Sequence, residues 1–189
     1  MIDLTEEQIN ALNKFYNKYS NDIVAIYRIG SSVVPFINNV NDIDILIIVK
    51  DNNKYIFRDK SRIDRSVLFH DYGLGTMITE ERFMKTNIDW DNNYISRYIG
   101  KEFKPKDLLE NIDECKNYLS MMINDLIRCK DLYEHKVFYR LYVISKYIEN
   151  KSYDLSATHI KNINILHDKK EEDIDKRKKL INSLINKYK

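Results

Sequence analysis

The chain has 189 residues, of which 43% are hydrophobic and 32% charged, with a formal net charge of +2. Such a composition describes an ordinary soluble globular protein, one domain or a small domain with an appendage, and its near-neutral charge disfavours a long nucleic-acid footprint. No apolar run approaches membrane-spanning length and the start MIDLTEEQ is too acidic for a secretory signal, so a cytoplasmic protein with no membrane partner is expected.

Thr5-Glu6-Glu7-Gln8 has the form of a capping box, and Ile9, Leu12, Phe15, Tyr16 and Tyr19 follow at helical spacing, which predicts a helix over 6–19. Asn21-Asp22 turns the chain into a β-rich run from Ile23 to Ile29, stopped by Gly30-Ser31. A short helix is expected next, limited by Pro35 and by a turn at Asn38-Asn39. Asp42-Ile43-Asp44 then opens Ile45-Leu46-Ile47-Ile48-Val49, apolar enough for a strand buried on both faces.

On a strand, Asp42 and Asp44 point to the same face. Their carboxylates repel each other unless a cation sits between them, and a hard divalent ion such as Mg²⁺ suits oxygen donors. Gly30, without a Cβ, lets a phosphate approach the backbone, Ser31 adds a hydroxyl, and the amides that follow are expected to open a helix. One end of this stretch suits a phosphate and the other the metal a phosphate carries.

After a polar loop over 50–61, a third strand is expected at 62–69 with Asp64, Ser66 and Leu68 on one face, then a turn at 70–75. Thr79 is placed to cap a helix over 80–86 with Phe83 and Met84 inward. Trp90, Tyr94, Ile95 and Tyr98 form an aromatic segment best read as core. Gly100 to Pro105 marks a boundary, beyond which the periodicity turns helical. Helices are expected over about 107–131, about 135–149, from the Ser156 cap to about 166, and over about 171–188. The last should turn Ile174, Ile181, Leu184, Ile185 and Tyr188 inward and the run Lys176-Arg177-Lys178-Lys179 outward. Cys115 and Cys129 are expected as buried free thiols.

The order Gly30-Ser31, a ten-residue gap, Asp42-Ile43-Asp44 and an apolar strand resembles the signature of the polymerase-beta-like nucleotidyltransferase superfamily. The helical half strengthens a resemblance to its small kanamycin and lincosamide types. The resemblance implies an α+β fold: a small mixed β-sheet core flanked by helices over 1–100, then an antiparallel helical bundle over 101–189. It further implies an enzyme that transfers a nucleoside monophosphate from a nucleoside triphosphate to an acceptor, with two Mg²⁺ ions held by Asp42, Asp44 and a third acid on the neighbouring strand. Asp64 is the first candidate for that acid and Asp71 the fallback. Gly30 and Ser31 would bind the nucleotide. Many relatives carry small or basic residues just after Gly-Ser, where this chain has Val33 and Val34. Lys136 and Arg140, one helical turn apart, would then supply the missing cation to the triphosphate. The resemblance leaves the acceptor open among a small molecule, a protein side chain and an RNA 3′ end, and leaves a homodimer open. Two alternatives stand beside transfer: a catalytically degenerate nucleotide-binding sensor or antitoxin subunit, and a HEPN-like ribonuclease, whose R-x6-H spacing Arg128 and His135 share.

Overall fold

The capping box forms. Thr5 Oγ1 accepts from the Gln8 amide at 3.2 Å and Gln8 Oε1 accepts from the Thr5 amide at 2.9 Å, which satisfies two amides that a helix start leaves without partners. The helix that follows, α1 (Glu6–Lys18), buries Leu12 and Phe15. The structure, a computed structural model, describes residues 4–40, 43–50, 76–85, 95–104 and 106–189. The strand expected at 62–69, the turn at 70–75, Trp90 and Tyr94 lie outside the described residues. Two compact units emerge, one of residues 1–35 and 40–106, the other of residues 36–39 and 107–189.

Among the described residues, the first unit is built on a four-stranded mixed sheet of β1 (Ile23–Ile29), β2 (Asp44–Val49), β3 (Thr76–Thr79) and β4 (Ile95–Gly100), in the order β3-β2-β1-β4. β1 pairs antiparallel with β2 and β4, and β2 pairs parallel with β3. β2 is buried from Ile45 to Val49, as its unbroken apolar run predicts. Its odd and even positions serve different cores. Ile45, Ile47 and Val49 pack with Leu12, Phe15, Ile23 and Ile26, whereas Leu46 and Ile48 pack with Ala25, Tyr27, Ile29, Ile78, Phe83, Ile95 and Phe103. Ile23 and Ala25, two apart, belong to opposite faces because the register shifts between them, and one extra residue reverses the alternation.

β4 carries the end of the aromatic segment. Its small exposed face (Ser96, Arg97) and single buried Ile95 give too weak an alternation to announce a strand. It ends at Gly100, at φ +91, where a Cβ would stand 2.4 Å from the Val24 carbonyl oxygen and 2.7 Å from Ala25 Cα. Only glycine fits there. Tyr27 then secures the chain beyond: its hydroxyl donates to the Lys101 carbonyl at 3.1 Å and accepts from the Phe103 amide at 2.8 Å. Helix α2 (Glu80–Lys85) starts as expected, with Thr79 Oγ1 accepting from the Arg82 amide at 3.2 Å. Phe83 is buried, but Met84 is 49% exposed, because so short a helix turns only one residue into the core.

The second unit contains α3 (Ile112–Ile127), α4 (Phe138–Asn150), α5 (Ala157–Asp168) and α6 (Ile174–Tyr188). α3 begins later than the periodicity predicts, since Asp107 Oδ1 takes the Leu109 amide at 2.9 Å and holds a turn there. It also ends earlier, so that Cys129 lies beyond it and is exposed, while Cys115 is buried as expected. Ser156 caps α5 through the His159 amide at 3.2 Å. On α6, Ile181 and Leu184 are buried as expected, but Ile174 is 44% exposed at the helix start. Arg177, expected outward, is only 4% exposed.

The Tyr153 hydroxyl donates to Asp107 Oδ1 at 2.6 Å and accepts from the Leu108 amide at 2.8 Å. Burial and the neighbouring carboxylate push its pKa from 10.0 to about 12. Burial, then Glu149, does the same to Tyr188. A raised folded-state pKa gives stability that is complete below the unfolded value, near 10.0, and lost as pH rises through about 12. In denaturant titrations, Tyr153→Phe should therefore lose less stability than wild type across that window. Equal slopes would contradict this origin of the alkaline limb. In the same contact the hydrogen bond from Tyr153 holds the Asp107 carboxyl below its ordinary 3.8, so that contribution is present above 3.8 and lost as pH falls through the folded value.

Candidate active site

The antiparallel pairing of β1 and β2 sets Ile29 opposite Asp44, which brings the residue after β1 against the first residue of β2. That residue is Gly30, at φ +72. A Cβ on it would stand 2.7 Å from Asp44 Oδ2. The Asp44 carboxylate therefore occupies the space beside a bare backbone, and any other residue at position 30 would displace it. Two residues fourteen positions apart are joined into one polar corner at a strand end, with Asp44 exposed and β2 buried behind it.

The chain leaves this corner through a single 3-10 turn, Gly30–Val33, and is extended again at Val34. The short helix expected after Gly-Ser is thus only a turn, as Pro35 limits anything longer. Ser31 and Ser32 are buried in it, and Ser32 Oγ donates to the Ile29 carbonyl at 3.0 Å, which fixes the turn on the end of β1. Val34 is 4% exposed, so a long cation in its place would have no route to water.

Of the residues singled out in the sequence, Gly30, Ser31 and Asp44 are gathered here. Asp42, Asp64 and the fallback Asp71 lie outside the described residues. Among the described residues no group of three His, Cys, Asp or Glu side chains forms a metal cluster. What is present suits Mg²⁺ in chemistry: an exposed carboxylate with hard oxygen donors, next to a backbone stripped of its side chain. Lys136 and Arg140 belong to the helical unit, Lys136 exposed ahead of α4 and Arg140 half-buried in its first turn. Arg128 is exposed at the end of α3, with Asp125 at 3.8 Å, and His135 is half-buried after the 3-10 turn Leu132–Glu134.

Gly30→Ala tests the corner directly. A side chain in the left-handed region costs about 1–2 kcal/mol, and the 2.7 Å approach forces Asp44 aside. The expected result is a modest loss in chemical denaturation together with a larger loss of any Asp44-dependent activity. Full stability and activity would contradict the geometry.

The segment 36–39, between this corner and Asp44 in the chain, belongs to the helical unit. Asn164 on α5 accepts from the Asn38 amide at 3.0 Å and donates to the Phe36 carbonyl at 2.9 Å. Asp168 accepts from the Asn39 side chain at 2.5 Å. Nothing local in the sequence marks these two residues.

No family model matches the chain, and no curated protein does. Its structure is similar to the crystal structure of spectinomycin adenyltransferase from Enterococcus faecialis with ATP and spectinomycin, at a TM-score of 0.58 and 15% sequence identity. The match covers 96% of this chain and 98% of that one, so it spans the helical half as well as the sheet. The chain therefore shares the fold of that protein: a mixed sheet with flanking helices and a C-terminal helical region. Among the described residues no helix is long and apolar enough to cross a membrane.

Proposed function

We propose that this protein is a Mg²⁺-dependent nucleotidyltransferase that moves a nucleoside monophosphate from a nucleoside triphosphate to an acceptor hydroxyl. The observation that carries the proposal is the Gly30–Asp44 corner, at the place where the Gly-Ser and Asp-x-Asp elements meet in a fold shared with an adenyltransferase crystallised with ATP.

The acceptor oxygen attacks the α-phosphorus. The new O–P bond forms as the bond between the α-phosphorus and its bridging oxygen breaks, and that oxygen leaves with the electron pair as pyrophosphate. Asp64 takes the proton of the attacking hydroxyl. Gly30 and Ser31 hold phosphate oxygens, Gly30 by permitting close approach of its amide and Ser31 by its hydroxyl. Asp42, Asp44 and Asp64 are the carboxylates that would hold Mg²⁺. Bound there, Mg²⁺ lowers the pKa of the acceptor hydroxyl and stabilises charge on the triphosphate. Lys136 and Arg140 supply further positive charge to the triphosphate. Because the likeness extends over the helical half, ATP is the first donor to test and hydroxylated aminocyclitols the first acceptors.

The test offers each α-labelled nucleoside triphosphate in turn, with Mg²⁺, to aminocyclitol antibiotics, cell RNA and cell protein. Label entering one acceptor class supports the proposal and names the acceptor. Label entering none, with every donor, would sink it.

A further inference from the structure

We propose that Ser32 is a positioning residue for the nucleotide: its hydroxyl closes the turn after β1 and so holds Ser31 ready for a phosphate; this rests on the transfer reading above. The two adjacent serines share one turn and differ in what their hydroxyls do. Ser32 is 2% exposed, and its Oγ donates to the Ile29 carbonyl, three residues back, at 3.0 Å. Its one hydroxyl proton is thereby spent inside the fold. Ser31 is 9% exposed, and among the described residues its hydroxyl forms no hydrogen bond. The fold uses its backbone instead: the Ser31 carbonyl accepts from the Val34 amide at 3.2 Å. One serine is built into the turn, and its neighbour keeps a donor in reserve.

The anchor is rigid and the span it closes is not. Ile29 is the last residue of β1 and pairs with Asp44 on one side and Ile95 on the other, so its carbonyl belongs to the sheet. Gly30 follows at φ +72, and glycine has the most backbone freedom to lose. A bond from the side chain of residue 32 to the backbone of residue 29 closes a loop across it. Without that bond, Ser31 must be ordered by the ligand itself, which costs affinity. Asp44 does not depend on it in the same way, because β2 pairs with β1 from Ile29 opposite Asp44 to Ile23 opposite Val49. Loss of the Ser32 hydroxyl therefore weakens the hold on the triphosphate in ground state and transition state alike. Such a loss raises KM and leaves kcat near its wild-type value.

Nucleotidyl transfer, and equilibrium binding of ATP with Mg²⁺, are measured for Ser32→Ala, Ser31→Ala and the double variant, at a temperature where each is folded. Ser32→Ala should raise KM and Kd for ATP about tenfold, the worth of about one hydrogen bond, with kcat within about threefold. Ser31→Ala should raise them by a similar factor. The double variant should fall well short of the product, about a hundredfold, because Ser32 acts through the hydroxyl that Ser31→Ala already removes. If Ser32→Ala does not fold, Ser32→Cys nearly keeps the buried volume with a weaker donor and should shift KM in the same direction. A merely destabilised fold would lower the active fraction, which cuts kcat at constant KM. That split, a constant KM and Kd, or a double variant at the full product would overturn the proposal. Wild-type protein that binds ATP but transfers nothing contradicts the transfer reading alone, and the Kd values still decide the role of Ser32. Wild-type protein that binds no ATP contradicts both.

Discussion

Asp44→Asn should abolish Mg²⁺-dependent nucleotidyl transfer while leaving the fold intact. The carboxylate is exposed at the first residue of β2, and the strand behind it is buried from Ile45 to Val49 by apolar side chains that the change does not touch. The asparagine is isosteric, so it fits the same space beside the bare backbone of Gly30. What it loses is the negative charge that a hard cation requires. Removing one preorganised electrostatic partner of a transition state costs on the order of a hundredfold to a thousandfold in kcat, and a metal ligand belongs at the upper end. Thermal denaturation of the variant should match wild type within the small range of a surface change, about 0.5 kcal/mol. An Asp44→Asn protein that is folded and turns over at the wild-type rate would remove Asp44 from the site.

The largest loss of stability is expected at Arg177. Its guanidinium is buried and faces backbone oxygen on every side: Nε donates to the Tyr133 carbonyl at 2.7 Å, Nη2 to the His135 carbonyl at 3.0 Å, and Nη1 to the carbonyls of Ile165 and Leu166. It thereby ties the turn between α3 and α4 to the last turn of α5, whose C-terminal carbonyls lack helical partners. Burial lowers its pKa below the ordinary guanidinium value, and the charge of Glu134 counters this. Arg177→Met relieves that desolvation but leaves neutral carbonyls buried and unpaired, each at about 1–3 kcal/mol. The relief does not offset several such losses. A net loss of about 3–5 kcal/mol is expected, or roughly 10 °C in Tm for a chain of this size. Arg177→Lys should recover only part, since one ammonium cannot span carbonyls presented to a planar fork. A change in Tm of under about 2 °C for Arg177→Met would contradict this.

Arg177 also shows where sequence reading stopped. It stands in the basic run Lys176-Arg177-Lys178-Lys179, and such runs are usually solvated. Yet Arg177, Ile181 and Leu184 fall at helical spacing on one face, so its position pointed inward even as its charge pointed outward. The cap at Thr5, the cap at Ser156 and the double-sided burial of β2 were legible because each depends on neighbours within a few positions. β4 was not, because its burial comes from β1 rather than from its own pattern. At the site, Gly30 and Asp44 were readable as a pair from type and order, and the structure adds that the Asp44 carboxylate takes the space a Cβ at position 30 would need. The hold of Asn164 on residues 36–38 was invisible, since 126 positions separate Asn164 from Asn38 and nothing near either predicts the other.

The central claim is that the bond broken lies at the α-phosphorus. ATP carrying distinguishable labels at the α- and γ-phosphates, incubated with Mg²⁺, protein and the acceptor class found to react, tests it most directly. Nucleotidyl transfer requires the α label on the acceptor and the γ label in pyrophosphate, in equal amounts, with both absent from Asp44→Asn. The γ label on the acceptor, or released as orthophosphate while the α label stays in nucleoside diphosphate, would mean cleavage at the wrong bond and would contradict it.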